Sequence, residues 1–252
     1  MSIYKRIISL TFFSAVGAAV FAASRKLIEI RQHNFSLPRG FTYTAHTGCG
    51  GTPDNSLESI KKAIALRVPV MENDVTLRKD GTPVLMHICL AENNEGLPLY
   101  DALKYIKENS DSVLLNLDLK TFARLDEIQK LVRENGLLER SFFTGVEECN
   151  TQTVKIDAPD IPYYLNINLD KMKLNSENYI MSIVYKTKQC SAIGINCDYH
   201  NASKKLIEIF HREGLKVSFW TVDDKTVTEY LLSLSPDNIT TRNPQILADL
   251  LK

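Results

Sequence analysis

Met71-Glu-Asn-Asp-Val-Thr-Leu-Arg-Lys-Asp-Gly-Thr-Pro-Val-Leu-Met-His87 is the stretch that decides how this chain is read. Apolar Val68, Val70 and Met71 lead into it as the buried end of a strand. Glu72 and Asp74 follow two residues apart, so in an extended chain both carboxylates leave the same face and can share one cation. Lys79-Asp-Gly-Thr-Pro83 is a turn, with Gly81 at the position that tolerates positive φ. Residues 83–86 run back apolar and deliver His87 at a strand end, which carries a titratable imidazole close to the paired carboxylates.

At 252 residues and 28.5 kDa, with 44% hydrophobic residues, the chain is long enough for one large single-core domain. Lys+Arg and Asp+Glu balance at 30 each, and no dense basic run exists, so charge gives no reason to expect nucleic acid as a partner. Cys49, Cys89, Cys149, Cys190 and Cys197 include no Cys-x-x-Cys pair, which argues against a zinc knuckle or a thioredoxin-type centre. Buried free thiols are expected of them ahead of a Cys49–Cys89 bridge across the site mouth.

Residues 7–23 are apolar and follow Lys5 and Arg6, so residues 1–24 read as a signal peptide or a membrane-anchor helix. Seventeen helical residues reach about 26 Å, the low end for a bilayer span. Arg25, Lys26 and Arg31 come directly after, which favours a retained anchor over a cleaved signal; either way the expected location is extracytoplasmic, membrane-anchored or secreted. Residues 25–40, with Pro38 and Gly40, read as a tether, and the folded domain is expected over residues 41–252.

From residue 41 strands and helices alternate. Strands are expected at 41–45, through Val70 and Met71, and at 113–117, 141–144, 163–167, 192–195, 216–220 and 238–241. Helices are expected from Asn55 onward, from near Pro98, and at 125–135, 177–187, 202–213, 225–234 and 245–251. Eight strand–helix units without a linker predict an α/β fold, a single closed (β/α)8 TIM barrel. In that fold the strand ends and the loops after them form the active face, so His46, Glu72, Asp74, His87 and Asp118 converge on one rim.

Asp118-Leu-Lys120 repeats the two-residue spacing at the end of the third barrel strand. Asp118 can join Glu72 and Asp74 as a third oxygen ligand, and Lys120 on the same face suits an anionic substrate oxygen. Three carboxylates without a Cys or His ligand suit Mg²⁺ or Ca²⁺ better than Zn²⁺. A divalent ion, a lysine and two histidines together point to phosphoryl chemistry.

His46-Thr-Gly48, Pro53-Asp-Asn-Ser56, Glu72-Asn-Asp-Val75, Arg78-Lys-Asp-Gly81, His87-Ile88 and Asp118-Leu-Lys120 occur in the order of a known set of motifs. They are joined by Trp220-Thr-Val222 and by Asp237-Asn-Ile-Thr-Thr-Arg-Asn-Pro244 near the C terminus. In these motifs the chain resembles the glycerophosphodiester phosphodiesterases, metal-dependent (β/α)8 barrels, over about residue 41 to the end. The resemblance implies His46 and His87 as the acid/base pair and Glu72, Asp74 and Asp118 as ligands of one divalent cation. It also implies Asn55 and Lys120 as phosphate-binding groups, with Trp220 at the substrate cleft. Several positions depart from the pattern, among them Thr47 where the family has Arg, Ile88 where it has Asp, and Asp118 where it has Glu. Loss of the Arg removes a bidentate phosphate contact. The connection from His87 to the next helix is short where relatives insert a capping subdomain, which implies an open site, as in the related sphingomyelinase D-like barrels.

The expected function is therefore metal-dependent hydrolysis of a glycerophosphodiester or lysophospholipid at a membrane, with no protein partner. A catalytically impaired barrel that binds phospholipid head groups, favoured by Thr47 and Ile88, is the alternative from another class. Phospholipase C-like or sphingomyelinase D-like transfer is a third. His200, after the sixth strand, is an outer-site candidate, and His211 is expected to be solvated on its helix.

Overall fold

The computed structural model describes residues 35–252; the expected N-terminal helix and most of the tether lie outside the described residues. Eight parallel strands close on themselves: β1 (Thr42–Ala45), β2 (Val70–Leu77), β5 (Leu114–Leu119), β6 (Ser141–Val146), β7 (Tyr163–Asn166), β8 (Gly194–Asp198), β9 (Lys216–Trp220) and β10 (Asn238–Thr241). Each pairs with the next, and β1 completes the ring by pairing with both β2 and β10. This is a TIM barrel. Two short strands, β3 (Pro83–Leu85) and β4 (Leu97–Pro98), form an antiparallel flap on the end of β2.

Helices α1 (Leu57–Ala65), α2 (Leu99–Asn109), α3 (Leu125–Glu134), α4 (Thr151–Asp157), α5 (Glu177–Gln189), α6 (Lys204–Arg212), α7 (Lys225–Leu234) and α8 (Pro244–Leu250) alternate with the barrel strands. Among the described residues no helix is long and apolar enough to cross a membrane. Helix α1 starts where the Ser56 hydroxyl accepts the Ser59 N–H at 3.1 Å, and it buries Ile60 and Ala63. Helix α4 was not expected: its seven residues are too few for a clear 3.6-residue pattern.

The apolar core fills the layer between sheet and helices, where outward-facing Met71, Val75, Leu115 and Leu117 meet Leu103, Ile106 and Ile128. Inside the barrel, Val70, Leu114, Phe142 and Tyr164 lie toward the N-terminal end, and the residues toward the active face are polar. Thr44 donates to Asn238 (2.9 Å), Asn238 to Ser218 (3.0 Å), Thr144 to Asn116 (2.8 Å) and Asn196 to Asn166 (3.2 Å). These cross-strand bonds satisfy groups that burial would otherwise penalise. They also leave the active face hydrophilic.

The N-terminal end of the barrel holds a feature the sequence reading misjudged. His211 is not simply solvated: its Nε2 lies 2.8 Å from Asp237 Oδ2, which also accepts the Val217 N–H at 2.8 Å. The pair ties α6 to the entries of β9 and β10.

Candidate active site

Register explains why three carboxylates meet. In the β2–β5 ladder Asp74 lies directly beside Asp118, and Glu72 beside Asn116. Alternation turns all four inward, at the ends of neighbouring strands. Carboxylate oxygens of Glu72, Asp74 and Asp118 lie within 4.8 Å of one another. Gly145 on β6 permits this closeness: it sits at φ +76, and a Cβ there would come within 2.5 Å of Leu119 O and 2.8 Å of Asp118 Oδ1.

Glu72 is buried, and its Oε2 accepts the Thr47 N–H at 2.9 Å. Burial, then the charges of Asp74 and Asp118, push its carboxyl well above the usual range. Asp74 goes the other way. Burial works against its charge, but the Asn55 amide and Lys120, with a smaller part from His87, hold its pKa below the usual value. The donor set fits a hard divalent cation: three oxygen ligands converge, and the like charges at Glu72 are only partly offset by Lys120.

His46 follows β1. Its Nδ1 lies 2.8 Å from the Thr47 carbonyl, which can only accept, so Nδ1 carries the proton and Nε2 is the basic nitrogen of the neutral ring. Burial lowers the pKa of His46 below the usual imidazole value, outweighing the Thr47 carbonyl and the nearby carboxylates. His87, just past β3, is 71% exposed, and its Nδ1 lies 3.1 Å from Asp74 Oδ1. Both imidazoles line one cavity of about 280 Å³ together with Glu72, Asp74, Asp118 and Lys120. Lys120 Nζ bonds Asp118 Oδ2 at 2.5 Å and Asp74 Oδ1 at 3.0 Å. Burial opposes its ammonium, yet the two aspartates raise its pKa above the usual value.

Asn55 is turned toward Asp74. It adopts φ 53 and is buried beside Asp74, its Nδ2 donating to Asp74 Oδ2 at 2.7 Å and its Oδ1 accepting the Asp74 N–H at 2.9 Å. It lies behind Asp74, outside the cavity lining, and holds that carboxylate in place. Thr47 is 1% exposed, and its hydroxyl accepts the Asn55 N–H at 2.5 Å. The position where the resemblance expects a phosphate-binding Arg thus belongs to the wall that supports Asp74.

The remaining wall consists of Asn116, Thr144, Asn166, Asn196, Trp220, Thr221 and Thr240, from β5 through β10. Of these only Trp220 was singled out from sequence. Polar residues at alternate positions near strand ends were the available signal for the others. His200 stacks on Tyr199 and bonds Asp198 at 2.6 Å, outside the cavity lining. All five cysteines are free thiols, with Cys49 buried and Cys89 exposed.

Residues 40–87, which carry both imidazoles and two of the carboxylates, match the model of the glycerophosphoryl diester phosphodiesterase family. Over these residues the chain is similar to that family. It is similar to a glycerophosphodiester phosphodiesterase of Caldanaerobacter subterraneus subsp. tengcongensis, 23% identical over 243 residues, covering 82% of this chain and 96% of the relative. The fold is similar to that of a solved family protein from Silicibacter pomeroyi, with a TM-score of 0.69 and 17% identity over 88% of this chain and 95% of that one. It is also similar to an Oleispira antarctica phosphodiesterase solved with its product sn-glycerol-3-phosphate, with a TM-score of 0.66 and 19% identity over 85% and 97% of the two chains.

Proposed function

We propose that this protein is a member of that family and hydrolyses glycerophosphodiesters to sn-glycerol 3-phosphate and an alcohol, using His46 and His87 as the acid/base pair. The observation that carries the reading is that each ring has its Nδ1 tied down, His46 on a carbonyl and His87 on Asp74, on the wall of the cavity where the three carboxylates converge. Anchored Nδ1 atoms leave both Nε2 atoms for proton transfer.

His46 is the base: burial keeps its ring neutral, and its Nε2 lone pair takes the proton of the attacking oxygen. His87 is the acid: Asp74 orients it, and its exposed ring delivers a proton from Nε2 to the departing alkoxide. Lys120, at the cavity wall, binds a phosphoryl oxygen. Glu72, Asp74 and Asp118 would hold one Mg²⁺ or Ca²⁺, which would supply positive charge against the phosphoryl oxygens.

A lysophospholipid is within this substrate class. Ile88 and Leu90, which follow His87 in sequence, are 44% and 50% exposed, and exposed apolar side chains there suit an acyl chain. The apolar residues 7–23 would hold or send the domain to a membrane, on its extracytoplasmic side. Cell fractionation with and without residues 1–34 tests that placement, and a chain found equally in the cytosol would refute it.

The test of the reaction is a panel of glycerophosphodiesters, lysophospholipids and phosphomonoesters, incubated with the full chain in Mg²⁺, in Ca²⁺ and in chelator. Cation-dependent cleavage of diesters and not of monoesters is expected. A folded protein that binds the diesters and cleaves none would favour a head-group-binding barrel.

A further inference from the structure

At the end of the barrel opposite the active face lies a separate cavity of about 270 Å³, lined where β1, β5, β6, β9 and β10 begin. Tyr164 forms part of its wall. It precedes inward-facing Asn166 by two residues on β7, so alternation turns it into the barrel as well. Its ring packs edge-on against Phe142, with centroids 5.6 Å apart, and only 6% of the residue is exposed. Yet its hydroxyl has no hydrogen-bond partner among the described residues. Burial, then the charge of Asp237, push the Tyr164 pKa above the usual phenol value, so the group is a neutral donor. Asp237 stands on the wall of the same cavity, at the entry of β10, so the hydroxyl end of the ring faces the cavity. The Asp237 carboxylate is half used: Oδ2 takes His211 and the Val217 N–H, whereas Oδ1 has no hydrogen-bond partner among the described residues.

A buried phenol hydroxyl ordinarily finds a partner, and an open one beside an open carboxylate oxygen is a place for a ligand atom. The rest of the wall defines that ligand. Val70, Leu114, Phe142 and Ile193 offer apolar and aromatic surface. Arg140 and Lys216 stand against Glu139 and Asp237, two charges of each sign, so an ion of either sign gains little there. A neutral hydroxyl satisfies both open atoms, accepting from Tyr164 and donating to Asp237 Oδ1. A cavity of roughly 150 Å³ already admits benzene, so the space suffices. We infer that this cavity binds a small neutral alcohol or phenol, its hydroxyl between Tyr164 and Asp237 and its apolar body against Phe142, Val70 and Leu114. The site stands apart from the phosphodiester reaction and does not depend on it.

Phenol is the probe, titrated into the full chain by calorimetry. Benzene, which lacks the hydroxyl, and benzoate and benzylamine, which replace it with a charged group, are the comparisons. Saturable one-to-one binding of phenol is expected, about tenfold tighter than that of the other three, on the scale of one to two hydrogen bonds. Trp220 emission should stay unchanged, because this indole, the single tryptophan of the sequence, lines the active-face cavity. Tyr164→Phe keeps the ring and loses only an unpartnered hydroxyl. It should melt no lower than wild type and bind phenol about fivefold more weakly, with benzene unaffected. Absence of saturable phenol binding would mean that the cavity holds water only and would overturn the site. So would phenol binding that is no tighter than benzoate binding, that survives Tyr164→Phe undiminished, or that perturbs Trp220. A Tyr164→Phe protein that melts well below wild type would show that the hydroxyl already has a partner, and would overturn the site as well.

Discussion

Lys120 and Asp118, two residues apart on and just after β5, are joined Nζ to Oδ2 at 2.5 Å, and the same ammonium reaches Asp74 Oδ1 at 3.0 Å. One cationic side chain therefore bridges, and half compensates, two of the three carboxylates suited to a divalent cation. Lys120→Met should weaken substrate binding by roughly tenfold to a hundredfold, the equivalent of a lost hydrogen bond to a charged group of about 1.5–3 kcal/mol. It should also lower the melting temperature measured in chelator, because Asp74 and Asp118 lose their compensating charge. Thermal melts with and without Mg²⁺ check this, and a variant as stable in chelator as wild type would count against it.

Glu72 links cation binding to pH. Burial and its two acidic neighbours raise its pKa, so the cation-free carboxyl holds its proton to higher pH than an ordinary glutamate. A cation must displace that proton, so cation affinity should fall as pH drops through the raised pKa, and binding should release protons. Calorimetry in two buffers of different ionisation enthalpy measures the release. An apparent enthalpy independent of the buffer would contradict the coupling.

Thr47 tests whether the departure from the family pattern is structural. Thr47→Val keeps the shape but leaves the buried Asn55 N–H unpaired, at a cost of about 1–3 kcal/mol. Thr47→Arg, which restores the family residue, should destabilise the fold further, because the position is 1% exposed. Denaturant unfolding ranks the three proteins. A Thr47→Arg variant that folds normally and gains activity would show that the position reaches the substrate.

His87 as the acid makes its removal depend on the leaving group. His87→Ala should slow cleavage of alkyl diesters about 10²–10⁴-fold, the range for general acid catalysis. It should slow a p-nitrophenyl diester far less, since that leaving group departs without a proton. Equal losses on both substrates would remove His87 from this role.

Much of this was legible before the fold was known, because period-two alternation and the His87 strand end are local signals. Glu72 and Asp74 declare a shared face by spacing alone, and eight strand–helix units imply which strand ends meet. Asn55 and Thr47 were not legible in the same way. Asn55 takes φ 53 in a loop, which no periodicity reveals, and only that conformation turns its amide onto Asp74. The roles of Asn166 and Trp220 depend on which loops border them across strands β7 to β9. His211 looked solvated because its partner Asp237 lies 26 residues away, across two elements.

The most direct test is the rate of sn-glycerol 3-phosphate release from a glycerophosphodiester by the full chain, with Mg²⁺ or with chelator, for wild type and His46→Ala. The account predicts turnover that requires the cation and falls about 10²–10⁴-fold in His46→Ala while the fold is retained. Release that persists in chelator, or that is unchanged in His46→Ala, would contradict it.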